Sequence, residues 1–270
     1  MKTLLENLPV TVTSQWHKNF PDFMPESQPS QAEPARVVMC TATDIANEIS
    51  NRIDAATVYL VHSDHPWIDV RYVAELYLMP YWEPANDEEF YLMLQVALVV
   101  TEKHNISIIV HIPKDFKFQQ PTNISAAQAF IGHYTENIPL PENYLSLSPI
   151  DRIRALETFS AHSPFNTLVH GSDRTLGIIA CGSIGNILEQ IPQLPYPILK
   201  LKHYPLGREL AESIYYPCDE ILVLEQGLPY IEQRLRGIMG VGTRIRGKLN
   251  RIVPADEPIS LQVITNILNL

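Results

Sequence analysis

The sequence predicts an α/β protein made of two units, each a mainly parallel sheet flanked by helices. Three observations carry that prediction. Apolar, β-branched runs of strand length stand at residues 56–63, 106–112, 175–181 and 220–224, the pattern of strands buried on both faces. Helix-length segments separate them, and strands joined through helices pair in parallel. A Pro-, Gln- and Asn-containing stretch from Lys114 to about Asn143 then interrupts the alternation and divides the chain.

In chain order, residues 1–35 hold little periodic pattern, end in a proline-bearing polar run and read as an N-terminal arm. From Arg36 the texture changes. Residues 36–40 form a short apolar run, 43–52 a helix, 56–63 a buried strand, and 72–78 a helix halted by Pro80. Residues 86–104 are the clearest helix of this half. Asn86 suits its cap, and Asp87, Glu88 and Glu89 place negative charge at the positive end of the helix dipole. The β-branched run 106–112 follows as a strand, completing a strand–helix–strand unit over 36–113. Residues 114–147 read as a linker.

The second domain, 148–270, is expected to open on a helix over 148–162, with Ser148 as cap and Pro149 in the first helical position. A strand over 175–181 runs into the turn Gly182-Ser183-Ile184-Gly185, followed by a helix over 186–191 that Pro192 ends. Then come a strand (196–201), a helix (207–215), a strand (220–224) ending in Glu225-Gln226-Gly227, a helix (230–239), a short strand (244–247) and a terminal helix (260–270). This is the alternation of an open doubly wound sheet.

Composition excludes several classes. With 46% hydrophobic and 19% charged residues, the 270-residue chain can bury two cores. A net charge of -10 argues against a nucleic-acid-binding face; the arginine-bearing segment 234–251 is the local exception. Cys40, Cys181 and Cys218 lie far apart with no C-x-x-C pair, so no iron–sulfur cluster or structural zinc is predicted. Reduced thiols in the cytoplasm are the natural expectation. No apolar run reaches the roughly 20 residues of a membrane helix, so no membrane partner is expected.

Four features carry possible chemistry, each beside a plainer reading. The strand–turn–helix over 175–190 has the context of an anion site, yet Gly182-x-x-Gly185 lacks the full dinucleotide spacing and is more often a tight turn. Cys181, at that strand's end, could be a stabilised thiolate, although cysteines so placed are usually small buried hydrophobes. Glu225 ends a strand on the side where ligands collect in such sheets, and an acid there equally caps the next helix. His62, Asp64 and His65 suggest a metal, but neighbours this close in a strand-to-loop stretch point apart.

A family resemblance runs through this order. Ser163-Pro164-Phe165-Asn166, Leu176-Gly177-Ile178-Ile179-Ala180-Cys181-Gly182, Ile198-Leu199-Lys200-Leu201 with Tyr204-Pro205-Leu206, and Ile221-Leu222-Val223-Leu224-Glu225-Gln226 with Pro229-Tyr230-Ile231-Glu232 resemble the alpha subunit of 2-oxoacid:ferredoxin oxidoreductases, above all the indolepyruvate branch. Arg246-Gly247-Lys248 and Pro254 continue the likeness. In the first unit it runs through Val61-His62-Ser63-Asp64-His65-Pro66, Arg71-Tyr72 and Met79-Pro80-Tyr81-Trp82-Glu83-Pro84.

The resemblance implies a partial thiamine-diphosphate pyrimidine-binding-like unit over 36–113 and a transketolase C-terminal-like domain over 148–270. It implies oxidative decarboxylation of 2-oxoacids to acyl-coenzyme A with reduction of ferredoxin, as in pyruvate:ferredoxin oxidoreductases. The family's glycine-rich entry and its cofactor-activating glutamate have no counterpart before Arg36. The chain also stops at Leu270, ahead of the family's pyrophosphate-binding domain, and so reads as a split gene or a pared-down paralogue. Under this resemblance Cys181, Gly182, Ser183, Gly185, Asn186, Lys200, Tyr204, Glu225 and Gln226 are candidate interface or ligand-proximal residues, with no catalytic residue or metal ligand assigned.

The expectation is a subunit that holds no cofactor alone and meets thiamine diphosphate only in a complex. Its partner would be a chain carrying the pyrophosphate domain, in a homodimer or hetero-oligomer. The alternatives are a non-catalytic binding or scaffold protein that keeps the fold, and an independent small-molecule enzyme using Cys181 or Glu225.

Overall fold

Five consecutive buried residues, Thr57 to Val61, make β3 (Thr57–His62) the central strand of the first unit. The computed structural model describes residues 12–13, 36–51, 56–65, 67–112, 124–239 and 244–270. They fall into two units, Met1–Ala155 and Leu156–Leu270. Most of the expected N-terminal arm lies outside the described residues; its Val12–Thr13 forms strand β1, paired in parallel with β2 (Arg36–Thr41).

In the first unit the sheet runs β1-β2-β3-β5-β4, with β4 at Tyr81–Trp82, β5 at Ile108–Ile112, and every pair parallel. Helix α1 (Ile45–Ser50) joins β2 to β3, α2 (Val70–Leu76) joins β3 to β4, and α3 (Asp87–His104) returns from β4 to β5. Right-handed crossovers therefore set α1 and α2 on one face, where they pack together, and α3 on the other.

Helix α3 is built as its sequence predicts. The Asn86 side chain accepts the Glu89 N–H at 2.9 Å, Glu89 accepts the Ala85 N–H at 2.8 Å, and Asn105 ends the helix in the left-handed region at φ 51°. Helix α2 starts two residues earlier than its pattern suggested, because the Asp69 side chain caps it by accepting the Arg71 N–H at 3.1 Å.

The stretch expected to be a linker, 114–147, carries helix α4 (Ile124–Glu136), which packs on α3. Ala127, Phe130, Ile131 and Tyr134 recur at helical spacing, and Ala127 and Tyr134 are buried. The boundary between units also falls later than expected, between Ala155 and Leu156, inside α5 (Pro149–Ala161). Ser148 does cap that helix, accepting the Asp151 N–H at 3.3 Å.

The second unit holds a sheet of order β11-β10-β7-β8-β6. Its strands β7 (Leu176–Cys181), β8 (Ile198–Leu201), β10 (Glu220–Leu224) and β11 (Ile245–Arg246) are parallel. Strand β6 (Thr167–Val169) is an antiparallel edge with no counterpart among the predicted elements. A two-residue strand, β9 (His203–Tyr204), follows β8. The helices are α6 (Ile184–Leu188), α7 (Arg208–Tyr215), α8 (Tyr230–Met239) and α9 (Leu261–Leu268). One core cluster joins Ile178 and Ala180 of β7, Leu222 and Leu224 of β10, Ile184 and Leu188 of α6, and Val253, Ile259 and Ile264 near the C-terminus. Among the described residues, no helix is long and apolar enough to cross a membrane.

Candidate functional site

Open parallel sheets leave a crevice at the carboxyl ends of adjacent strands whose chains depart to opposite faces. In the second unit that place lies between β7, which leads into α6, and β10, which leads into α8. The register Ala180↔Leu224 sets Cys181 and Glu225 at neighbouring positions there. Most of the sequence-nominated residues collect around this edge, and the polar groups of Glu225, Gln226, Lys200 and Tyr204 are engaged by the fold itself.

The Glu225 carboxylate is buried and accepts the backbone N–H groups of Ile231 at 2.9 Å and Glu232 at 3.0 Å, so it caps α8. Gln226 pairs reciprocally with the Ile259 backbone, both bonds at 3.4 Å, tying this loop to the segment before α9. The Lys248 ammonium donates to the Gly227 carbonyl. Gly182 turns the chain at φ 55° and donates to the Leu201 carbonyl at 2.9 Å. After it, α6 has only five residues, too few to gather a substantial dipole at its start, and the Ser183 side chain makes no cap bond.

Gly185 is small because Lys200 lies over it: a Cβ there would meet Lys200 Cγ at 3.2 Å. The Lys200 ammonium ion-pairs with Glu189. Asn186 is half-buried, its N–H bound to the Ser183 carbonyl at 3.1 Å. Tyr204 is buried before the cis bond to Pro205, its hydroxyl donating to the Leu201 carbonyl at 3.3 Å. The glycine turn has the geometry of a tight turn.

The arginine-bearing segment is not a free basic face. Arg234 donates to Glu157 at 2.8 Å and to the Leu206 carbonyl at 2.7 Å. Arg236 reaches Glu232 at 3.0 Å, and Arg246 pairs with Glu220 at 2.6 Å. Arg244 serves the carbonyls of Tyr215, Cys218 and Asp219 and lies over the Tyr215 ring. These cations close the fold around β10 and β11.

In the first unit the equivalent crevice lies between β3 and β5. The chain leaves β3 toward α2, while α4, which follows β5, packs on α3. Its rim is polar and exposed at Ser63, Asp64 and His65. Asp64 accepts the Thr43 hydroxyl at 2.7 Å and the Thr43 N–H at 3.2 Å, which fixes the loop and holds the carboxyl below the usual range, although burial opposes this. His65 Nδ1 accepts the Trp67 N–H at 3.3 Å. His62, Asp64 and His65 are thus not drawn to one point, and among the described residues no group of three possible ligands could hold a metal.

One sheet face at this crevice carries a row the sequence reading missed. The register Val61↔His111 and Ile109↔Tyr81 places Ser63, His111 and Tyr81 on the same side. Ser63 Oγ stands 2.9 Å from His111 Nε2, and the Tyr81 ring lies 6.2 Å from the imidazole. Near Tyr81 and His111, Arg71, almost fully buried, grips Asp69 through Nε at 2.8 Å and Nη2 at 2.5 Å. The available signal was a histidine inside an otherwise apolar strand, where polar residues are uncommon.

No protein-family model matches the chain. Curated relatives are indolepyruvate oxidoreductase subunits IorA. That of Archaeoglobus fulgidus is 24% identical over 216 residues, covering 72% of this chain and 33% of the relative. Those of Methanothermobacter thermautotrophicus and Methanothermobacter marburgensis are each 22% identical, covering 69% of this chain and 33% of theirs. The chain thus spans about a third of the length of these relatives. A solved structure, a 2-oxoglutarate:ferredoxin oxidoreductase from Magnetococcus marinus with 2-oxoglutarate, coenzyme A and succinyl-CoA bound, aligns with TM-score 0.57 at 13% identity. The alignment covers 87% of this chain and 52% of that one, a likeness of fold. The chain therefore resembles part of a 2-oxoacid:ferredoxin oxidoreductase alpha subunit of the indolepyruvate kind, and its α/β fold matches.

Proposed function

We propose that the chain is a subunit of a 2-oxoacid oxidoreductase-like complex, whose thiamine-diphosphate chemistry is completed by a partner carrying the pyrophosphate domain. The observation that carries this reading is the extent of the likeness. A match over 72% of 270 residues is longer than either unit, so it crosses the boundary at Ala155 and follows the order of both. In this reading the first unit is pyrimidine-binding-like and the second transketolase C-terminal-like.

The described residues of the first unit favour a chain that does not activate thiamine diphosphate by itself. That task needs a carboxylate placed to meet the aminopyrimidine, and among the described residues of the first unit no glutamate is fully buried, Glu83 being half-buried near Tyr81 and His111. The shielded Asp69 carboxylate there is held by Arg71 through two side-chain bonds. The reading therefore assigns cofactor activation to the partner and gives this chain a docking and shaping role.

Co-expression with the products of neighbouring genes tests this. Co-elution on size-exclusion chromatography, with 2-oxoacid-dependent ferredoxin reduction that requires this chain, is the expected result; no association removes the reading. The engaged Asp69 also favours a second reading, a scaffold that keeps the fold without the chemistry. It predicts association without turnover, and a reconstituted decarboxylation that needs this chain would rule it out.

A further inference from the structure

We propose that Ser63 and His111 form a nucleophile–base pair at the β3/β5 crevice, able to transfer acyl groups from small uncharged esters. The proposal stands on the first unit's own geometry and is independent of any partner chain. Ser63 is exposed just past the end of β3, and its Oγ lies 2.9 Å from His111 Nε2, inside the reach a general base needs. His111 is fixed by its place in β5, opposite Val61 of the buried central strand and beside the Tyr81 ring. The nucleophile sits on a loop end pinned by the bonds from Thr43 to Asp64, and the base on the neighbouring strand.

Electrostatics suit the roles. Burial holds the His111 imidazole below the ordinary histidine range, so the ring is neutral and can accept a proton near pH 7. The charges acting on it are Glu83 after β4 and Asp69 at the start of α2, which favour the protonated form, and His62 of β3 and Arg71 of α2, which oppose it. Asp64 stands at the exposed rim and Glu83 acts on both His111 and Tyr81, while Arg71 and Asp69 neutralise each other in their buried pair. An anionic acyl donor would meet this negative charge, which is why the class is an uncharged ester.

In the reaction, Ser63 Oγ attacks the acyl carbon as His111 Nε2 takes the hydroxyl proton. The bond to the alcohol breaks, and His111 returns the proton to the departing oxygen. Water then repeats the cycle on the acyl-serine, releasing the acid and restoring Ser63.

The full chain, purified alone, tests this with p-nitrophenyl acetate and a fluorophosphonate label mapped by peptide mass spectrometry. The expected result is a label on Ser63 and hydrolysis lowered at least about 100-fold by Ser63→Ala and by His111→Gln. The wild-type rate should rise with pH through an apparent pKa below 6.5, the ordinary histidine value. A label elsewhere or none, or an unchanged rate in Ser63→Ala, overturns the proposal. The labelling arm uses unaltered protein, so it decides the matter even if His111→Gln folds poorly.

Discussion

Asn166 and His203 are joined twice: Asn166 Oδ1 accepts the His203 N–H at 2.9 Å, and its Nδ2 donates to the His203 carbonyl at 2.8 Å. An asparagine side chain carries the donor and acceptor of a peptide group, so Asn166 serves as a strand partner just beyond β8. Oδ1 also accepts the Lys202 N–H at 2.8 Å, and Nδ2 reaches the Ser160 carbonyl at 3.0 Å. Asn166→Ala should orphan buried backbone groups and lower stability by about 2–4 kcal/mol. A denaturant midpoint equal to wild type would contradict this.

Glu225 offers a cleaner test of structure against chemistry. Its two bonds to the start of α8 predict that Glu225→Ala loses about 1–2 kcal/mol as a lost cap. Glu225→Gln, with one acceptor oxygen instead of two, should fall between. If thermal unfolding finds both variants as stable as wild type, the capping role is wrong.

Burial also sets a pH dependence. His203 is held well below 6.5 and His111 below it, each by desolvation. Below about pH 6.5 the unfolded chain takes up protons that the folded chain refuses, so this stability is complete above that pH and is lost as pH falls toward the folded values. The slope is at most about 1.4 kcal/mol per pH unit for each group. Unfolding free energies measured from pH 7 downward should fall less steeply for His203→Gln than for wild type; parallel curves would refute the assignment.

The thiols should be silent in the native state. Cys40, Cys181 and Cys218 are all buried. Burial, with Glu48, Asp44 and Asp64 nearby, pushes the Cys40 thiol up to about 12, and burial raises Cys218 as well. A thiol reagent should find no rapidly reacting group before denaturation and three after it. Rapid modification of Cys181 would return it to consideration as a reactive site.

The central strands and α3 could be read from the sequence because their signals are local. The apolar runs of β3, β5, β7 and β10 have strand length, and Asn86 with Glu89 writes the start of α3 into four residues. Other features depend on distant partners. Ser63 and His111 lie 48 residues apart and meet only through the β3–β5 register. Residues 234–251 read as a local basic stretch until Glu157, Glu220 and several carbonyls close on Arg234, Arg244, Arg246 and Lys248. Strand β6 is too short for periodicity to declare, and α4 is embedded in a Pro-, Gln- and Asn-containing stretch that reads as a linker.

The core cluster that Ile259 and Ile264 complete also bears on how the second unit is made. Strands β7, β8 and β10 are finished by Leu224, whereas α9 begins at Leu261. At a synthesis rate of ~5–20 residues per second, the apolar face between them stays open for about 2–8 s before α9 arrives. During that interval the nascent second unit shows ribosome-associated chaperones the surface that the finished molecule hides, so its yield in the cell should respond to chaperone supply.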